Sequence, residues 1–176
     1  VEIPYLEKSI SVSPSITSMP DKVPALEEES EPAGYSLLVV EDTTDMLEFL
    51  AKNLGNTYTI HTAANGKEAL ECLETTTVDL IISDIVMPHM DGFELLKSIR
   101  SDNMLCHIPF ILLSALDSID SKIAGLDYGA DAYIEKPFSL SHMKATINNL
   151  LENRRMLFNH FTTVPNMSYD QTLNHS

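Results

Sequence analysis

The sequence predicts an α/β domain in which helices cover both faces of a parallel sheet. Short apolar runs alternate with longer stretches whose apolar residues recur every three or four positions. Such alternation is typical of a parallel sheet, because each crossover between parallel strands is usually a helix. The hydrophobic content of 44% is sufficient for an ordinary globular core.

Five strands are predicted, at residues 37–40, 58–63, 79–83, 109–114 and 131–135. The first of them (LLVV) is wholly apolar, and the third (DLIIS) contains the apolar run Leu80, Ile81 and Ile82. Continuous apolar runs of this kind are typical of strands that are buried on both faces.

Five helices are predicted, at residues 44–54, 66–74, 92–100, 117–128 and 140–158. In the first, Leu50 and Leu54 continue an apolar face at helical spacing, and Gly55 marks its end. Asn65 and Ser139 are expected to cap the second and the last helix. Right-handed crossovers limit the possible topologies. The common solution is the flavodoxin-like (βα)5 doubly wound sheet with strand order 2-1-3-4-5, although periodicity alone does not fix that order.

Polar residues follow the ends of four predicted strands. Glu41 and Asp42 follow the first strand, and Asp84 follows the third. Ser114 ends the fourth, and Lys136 follows the fifth. The carboxyl ends of parallel strands share one edge of the sheet, where ligands bind in open α/β folds. In the 2-1-3-4-5 order the first and third strands are neighbours, about 4.8 Å apart, so the three carboxylates would crowd together.

Three crowded carboxylates repel one another, and a hard cation with oxygen ligands relieves that repulsion. Mg²⁺ fits such a site. Lys136 and Ser114 would add an ammonium and a hydroxyl group, which suit a phosphoryl group. Asp84 would be the nucleophile and would form an acyl phosphate. Each residue alone is an ordinary loop or helix-capping residue, but the whole set at one edge favours a functional site.

Four motifs then resemble the receiver domain of two-component response regulators. They are LLVVED, DLIISDIVMPHMDGFELL, IPFILLSA and GLDYGADAYIEKPF, and the resemblance covers about residues 36–151. The spacing also matches, since Ser114 follows Asp84 by 30 residues and Lys136 follows Ser114 by 22. The resemblance implies that a phosphohistidine, on a histidine kinase or a phosphotransfer domain, donates phosphate to Asp84.

The resemblance also implies a role for the residues around Asp84. Asp42 and Asp84 would bind Mg²⁺ together with the backbone carbonyl of Val86, and Glu41 would act through water. Val86 and Leu116 occupy the two positions that tune hydrolysis in this family. Neither side chain can hydrogen-bond water, which predicts slow self-dephosphorylation.

The remaining implied roles concern switching. Ser114 and Lys136 would bind phosphoryl oxygens, and the Lys136–Pro137 bond would be cis. Tyr133 would move inward when Ser114 moves toward the phosphate. The face made by the fourth helix, fifth strand and fifth helix would then change partners, to control an output such as transcription. A homodimer through this face is an open alternative.

The flanking segments suggest an origin in a longer protein. Residues 1–34 are predicted to be a largely disordered linker, because they are rich in proline and serine and carry the acidic run EEESE. Residues 35–153 would form the receiver domain, and residues 154–176 a helix extension and linker. Apolar residues of the last helix have heptad-like spacing, which fits a core-facing helix at least as well as a partner-binding one. The chain starts at Val1 and resembles the receiver segment of a hybrid sensor histidine kinase, which can be membrane-anchored.

Composition excludes several classes of function. The net charge of −15 opposes direct binding of this segment to nucleic acid. No apolar run is long enough to cross a membrane, so no membrane contact and a cytoplasmic location are expected. Cys72 and Cys106 lack CxxC spacing and fit reduced thiols. The histidines are scattered and lack ligand spacing: His61, His89, His107, His142, His160 and His175.

Two other functions remain as alternatives to a phosphorylation switch. A Mg²⁺-dependent phosphatase with an aspartyl nucleophile usually has a second acid two residues later, where this sequence has Val86. A pseudo-receiver would bind partners without phosphorylation, but Asp42, Asp84, Ser114 and Lys136 are all present. The segment is not expected to be a stand-alone enzyme beyond its own phosphorylation and dephosphorylation, although its parent chain would be a histidine kinase.

Overall fold

The computed structural model describes residues 34–115, 123 and 127–163. The strands are β1 (Ser36–Val40), β2 (Thr59–Ala63), β3 (Leu80–Asp84), β4 (Phe110–Ser114) and β5 (Ala132–Glu135). The helices are α1 (Thr44–Leu54), α2 (Gly66–Thr75), α3 (Gly92–Ser101) and a C-terminal helix (Leu140–Thr163). Leu116, most of the helix predicted at residues 117–128 and nearly all of the predicted linker at residues 1–34 lie outside the described residues, as do residues 164–176.

The five strands form one parallel sheet in the order β2-β1-β3-β4-β5, which confirms the predicted order. In the register of the sheet, Val40 is paired with Ser83, and Asp84 is paired with Leu113. Ser114 is paired with Glu135. The carboxyl ends of all five strands therefore lie along one edge of the sheet.

Alternating residues of the central strands enter two different core layers. Leu38 of β1 and Ile81 of β3 pack on the side of α2 and α3. Leu37 of β1 and Ile82 of β3 pack on the side of α1 and the C-terminal helix. This explains the continuous apolar runs within the central strands, since side chains on both faces of the sheet are buried.

Side-chain caps fix the starts of α2 and α3. The carboxamide oxygen of Asn65 accepts hydrogen bonds from the backbone N–H groups of Lys67 and Glu68, so its predicted capping role is confirmed. Asp91 caps α3 and forms a reciprocal capping box with Glu94. This box begins the helix directly after the loop that follows Asp84.

The C-terminal helix continues to Thr163, whereas its end was predicted near residue 158. Its buried face consists of Met143, Ile147 and Leu151. The predicted apolar stripe stops contributing to the core beyond this point, since Leu157 is 60% exposed. No helix among the described residues combines the length and the apolar composition that a membrane span requires.

Candidate phosphoryl-acceptor site

The edge at the carboxyl ends of the strands brings together the polar residues predicted there. Asp84 is the last residue of β3 and Ser114 the last residue of β4. Glu41 and Asp42 directly follow β1, and Lys136 directly follows β5. Contacts among these side chains join segments that lie up to 95 residues apart in the chain.

Asp84 is nearly buried at this edge, with 8% of its surface exposed. Its Oδ1 accepts a hydrogen bond of 2.9 Å from the backbone N–H of Ile85, and its Oδ2 lies 3.3 Å from Lys136 Nζ. Burial raises the pKa of Asp84, and the negative charge of Glu41 acts in the same direction. Lys136 opposes this pKa shift without cancelling it. The carboxylate is therefore held in a place where additional positive charge would stabilise it.

Glu41 is more deeply buried than Asp84, with 1% of its surface exposed. Its Oε2 accepts a hydrogen bond of 2.8 Å from Lys136 Nζ, and its Oε1 accepts one of 3.2 Å from the backbone N–H of Thr43. Burial by itself would lower the pKa of Lys136, but Glu41 and Asp84 together outweigh that effect and raise it. Lys136 is therefore held as an ammonium ion between two carboxylates.

Glu41, Asp42 and Asp84 form a group in which one carboxylate oxygen from each residue lies within 4.8 Å of the others. Asp42 is exposed, so the group opens to solvent on its side. Carboxylate oxygens are the donors that Mg²⁺ prefers, and this cation keeps several waters when it binds to proteins. The donor set and the raised pKa of Asp84 both fit a divalent cation.

The residues predicted to act beside Asp84 have different environments. Ser114 is buried, and its backbone carbonyl accepts a hydrogen bond of 2.7 Å from the backbone N–H of Lys136. The Lys136–Pro137 peptide bond is cis. Tyr133 is half-buried in β5 and packs against the core on the side of α2 and α3. The Val86 side chain is 64% exposed.

Gly92 has a reason to be glycine that the sequence did not reveal. The structure shows a close approach of α3 to the end of β3 at this position. A Cβ atom on Gly92 would lie 2.3 Å from the carbonyl oxygen of Asp84 and 2.9 Å from the Cα of Ile85. The backbone N–H of Gly92 also donates to the carbonyl of Ile85 at 2.9 Å. These contacts fix the backbone that carries Asp84.

Arg100 is a second residue whose importance the sequence did not reveal. Its guanidinium donates hydrogen bonds to the backbone carbonyls of Cys106, Ile108 and Gly129, over 2.9–3.1 Å. It also forms an ion pair of 2.8 Å with Asp131. Arg100 thus joins the end of α3 to the segments that precede β4 and β5. No helical or strand periodicity marks it, because its partners lie between 6 and 31 residues further along the chain.

The described residues also line a cavity of about 650 Å³ away from this site. Tyr35, Asp79 and His107 line one side of it, and Arg154 and Phe158 of the C-terminal helix line the other. Since Tyr35, Asp79 and His107 precede strands, this cavity lies at the amino-terminal edge of the sheet. It shares no lining residue with the group of polar residues around Asp84.

Comparison with known proteins identifies the family. The family model described as the response regulator receiver domain matches residues 37–148. Histidine kinase P4 of Formosa agariphila is 39% identical over 143 residues, which cover 78% of this chain and 10% of that protein. The response regulator MprA of Mycobacterium ulcerans is 37% identical over 121 residues, or 68% of this chain and 51% of that protein.

Comparison with solved structures also finds receiver domains. The receiver domain of the Francisella response regulator 1452 is 36% identical, with a TM-score of 0.64, over 68% of this chain and 98% of that one. The signal receiver domain of a signal transduction histidine kinase from Syntrophus aciditrophicus is 30% identical, with a TM-score of 0.65, over 81% of this chain and 99% of that one. The chain spans only about half, or much less, of the two curated relatives. It belongs to the family of response regulator receiver domains.

Proposed function

We propose that this domain accepts a phosphoryl group on Asp84 and uses it to switch its binding partners. The observation that carries this proposal is the position of Lys136 Nζ, which is 3.3 Å from the carboxylate of Asp84. A fixed ammonium beside a nucleophilic carboxylate favours transfer of a group that carries negative charge on its oxygens. The chemistry of the neighbouring carboxylates and of Ser114 supports the same assignment.

In the proposed reaction, the Asp84 carboxylate attacks the phosphorus of a phosphohistidine. A P–O bond to Asp84 forms as the P–N bond to the imidazole breaks, and the imidazole leaves with its electron pair and takes up a proton. The hydrogen bond from the backbone N–H of Ile85 orients the Asp84 carboxylate for this attack.

Asp42 and Asp84 would hold Mg²⁺ directly, with the backbone carbonyl of Val86, while Glu41 would hold it through water. The ion would neutralise negative charge on the phosphoryl oxygens during transfer. The acidic cluster and the raised pKa of Asp84 support this assignment. Lys136 would bind one phosphoryl oxygen, and the Ser114 hydroxyl would donate a hydrogen bond to another.

Switching would follow from the movement of Ser114 toward the phosphoryl group. Tyr133 lies on β5, next to the strand that ends in Ser114, and would move inward with it. The surface around β5 and the start of the C-terminal helix would then present a different face to its partners. This surface is also where we would place a homodimer contact.

The partner that donates phosphate would be a histidine kinase or a phosphotransfer domain. The similarity to a protein named histidine kinase supports an origin in a hybrid kinase. We place this segment of that kinase in the cytoplasm. Residues 35–153 would be the receiver domain, with a linker before it and a helix extension after it. Control of transcription would come from a separate output domain, because the net charge of −15 opposes DNA binding by this segment.

Intact-mass spectrometry of the whole chain tests the proposal. The chain is incubated with phosphoramidate or acetyl phosphate, with Mg²⁺ or with EDTA. We expect one added phosphoryl group that depends on Mg²⁺ and is lost in Asp84→Asn. Asp45→Asn is the matched control, because Asp45 is an exposed aspartate in the first turn of α1.

A folded wild-type chain that gains no phosphoryl group would contradict the proposal, provided that a phosphorylated histidine kinase also fails as donor. That result would favour a pseudo-receiver. Phosphorylation that persists in Asp84→Asn would mean that another residue is the acceptor.

A further inference from the structure

We propose that Glu41 restrains Lys136 in the unphosphorylated domain, so that the lysine must leave Glu41 to bind the phosphoryl group. Glu41 is then a positioning residue that sets how readily Asp84 is phosphorylated, in addition to its place in the acidic cluster. This inference rests on the proposed function, because it concerns the same lysine and the same acceptor.

The ammonium group of Lys136 lies closer to the carboxylate of Glu41 than to that of Asp84. Lys136 Nζ lies 2.8 Å from Glu41 Oε2 and 3.3 Å from Asp84 Oδ2. Glu41 follows β1 and Lys136 follows β5, with β3 and β4 between these strands. Three strand spacings amount to about 14 Å, so the two long side chains reach toward each other across the carboxyl ends of β3 and β4.

Glu41 is held in place to make this contact. Its backbone N–H donates to the carbonyl of Ala63 at 3.0 Å, and its Oε1 accepts from the backbone N–H of Thr43. Only 1% of the Glu41 side chain and 18% of the Lys136 side chain are exposed. A buried carboxylate is costly without a charged partner, so the pair resists separation.

The restraint follows from competition for one ammonium group. Lys136 Nζ is the group that would bind a phosphoryl oxygen on Asp84, and its shortest contact is now with Glu41. The side chain of aspartate is shorter than that of glutamate by one C–C bond, about 1.5 Å. In Glu41→Asp the contact would open to beyond hydrogen-bonding distance, while the negative charge of the acidic cluster would be kept.

The first test observes the lysine directly in Mg²⁺-free protein. The side-chain ammonium of Lys136 is followed in ¹H–¹⁵N spectra and assigned by its loss in Lys136→Gln. We expect a signal protected from solvent exchange in the wild type and its loss in Glu41→Asp. Glu48→Asp is the matched control, because it makes the same change at an exposed position of α1.

The second test is a double-mutant cycle on phosphorylation by phosphoramidate, at equal fractional Mg²⁺ occupancy after measurement of each Mg²⁺ affinity. We expect Glu41→Asp to react about tenfold faster than the wild type, equivalent to about 1.4 kcal/mol. In the Lys136→Gln background the same substitution should have no effect, because the restrained group is absent.

If the Lys136 ammonium signal remained protected in Glu41→Asp, the proposal that Glu41 restrains Lys136 would be wrong. An equal acceleration in both backgrounds would also contradict it, because Glu41 would then act through the metal site alone. Failure of the wild type to accept phosphate would refute the proposed function instead, and the ammonium signal in Mg²⁺-free protein would still decide whether Glu41 holds Lys136.

Discussion

Gly92→Ala should destabilise the domain and disturb the acceptor site together. The new Cβ would lie 2.3 Å from the carbonyl oxygen of Asp84, 3.1 Å from its carbonyl carbon and 2.9 Å from the Cα of Ile85. All three are backbone atoms, so no side-chain rotation can relieve the overlap. The start of α3 would have to move away from β3 by about 1 Å to restore an ordinary contact.

The size of the effect follows from two opposing contributions. Overpacking of this kind costs about 1–3 kcal/mol, and we expect the upper end because the contacts are with backbone. Replacing glycine by alanine in a helix recovers at most about 1 kcal/mol. The free energy of unfolding should therefore fall by about 2 kcal/mol, which lowers the melting temperature by roughly 4–8 °C for a chain of this size. Displacing Asp84 by about 1 Å should also slow its phosphorylation by about 100-fold.

Urea unfolding followed by far-UV circular dichroism measures the first effect, and intact mass against time measures the second. Gly34→Ala is the control, because among the described residues no atom outside its chain neighbours lies within 4 Å of the Cβ position at Gly34. Its free energy of unfolding should match the wild type within about 0.5 kcal/mol. If the free energy of unfolding of Gly92→Ala also matched the wild type within this range, the contact of α3 with the end of β3 would not be the reason for glycine at this position.

Three further predictions concern the site and its support. Arg100→Ala should lower the free energy of unfolding in urea by about 2–3 kcal/mol, because three backbone carbonyls lose a charged donor. Arg100→Lys should recover only part of that loss, and full recovery would mean that charge alone matters. Without Mg²⁺, Asp84→Asn should be more stable to heat than the wild type at pH 7, because burial holds the pKa of Asp84 above its usual value. A raised pKa stabilises the fold at acidic pH, and that stability is lost once the carboxyl ionises. The advantage of Asp84→Asn should therefore shrink as the pH falls through the raised pKa of Asp84, and it should become constant below the usual carboxyl pKa of about 4. An advantage that stays the same from neutral pH down to about 4 would exclude ionisation as its cause. The phosphorylated domain, followed by intact mass after removal of the donor, should lose phosphate with a half-life far longer than seconds, because Val86 and Leu116 cannot hold a hydrolytic water. A half-life of seconds would refute that reasoning.

The elements of the sheet were predictable because their signals are local. The apolar run that ends at Val40 and the helical spacing of Leu50 and Leu54 depend only on near neighbours in the chain. The cap at Asn65 is equally local, since its partners are two and three residues away. The end of the C-terminal helix was not predictable, because a helix can continue beyond the core where no breaker stops it. The order of the strands did not follow from periodicity alone, and its prediction depended on the commonest topology for five alternating strands.

The sequence by itself determined that carboxylates, a hydroxyl and an ammonium would meet at one edge of a parallel sheet. That conclusion needs only the direction of each strand and the residue that follows it. Tertiary structure alone decided which groups touch: Lys136 contacts Glu41 more closely than Asp84, and Gly92 lies against the backbone of Asp84. The physical reason is that such contacts depend on side-chain length and on the packing of distant segments to within about 1 Å, which residue order and periodicity do not contain.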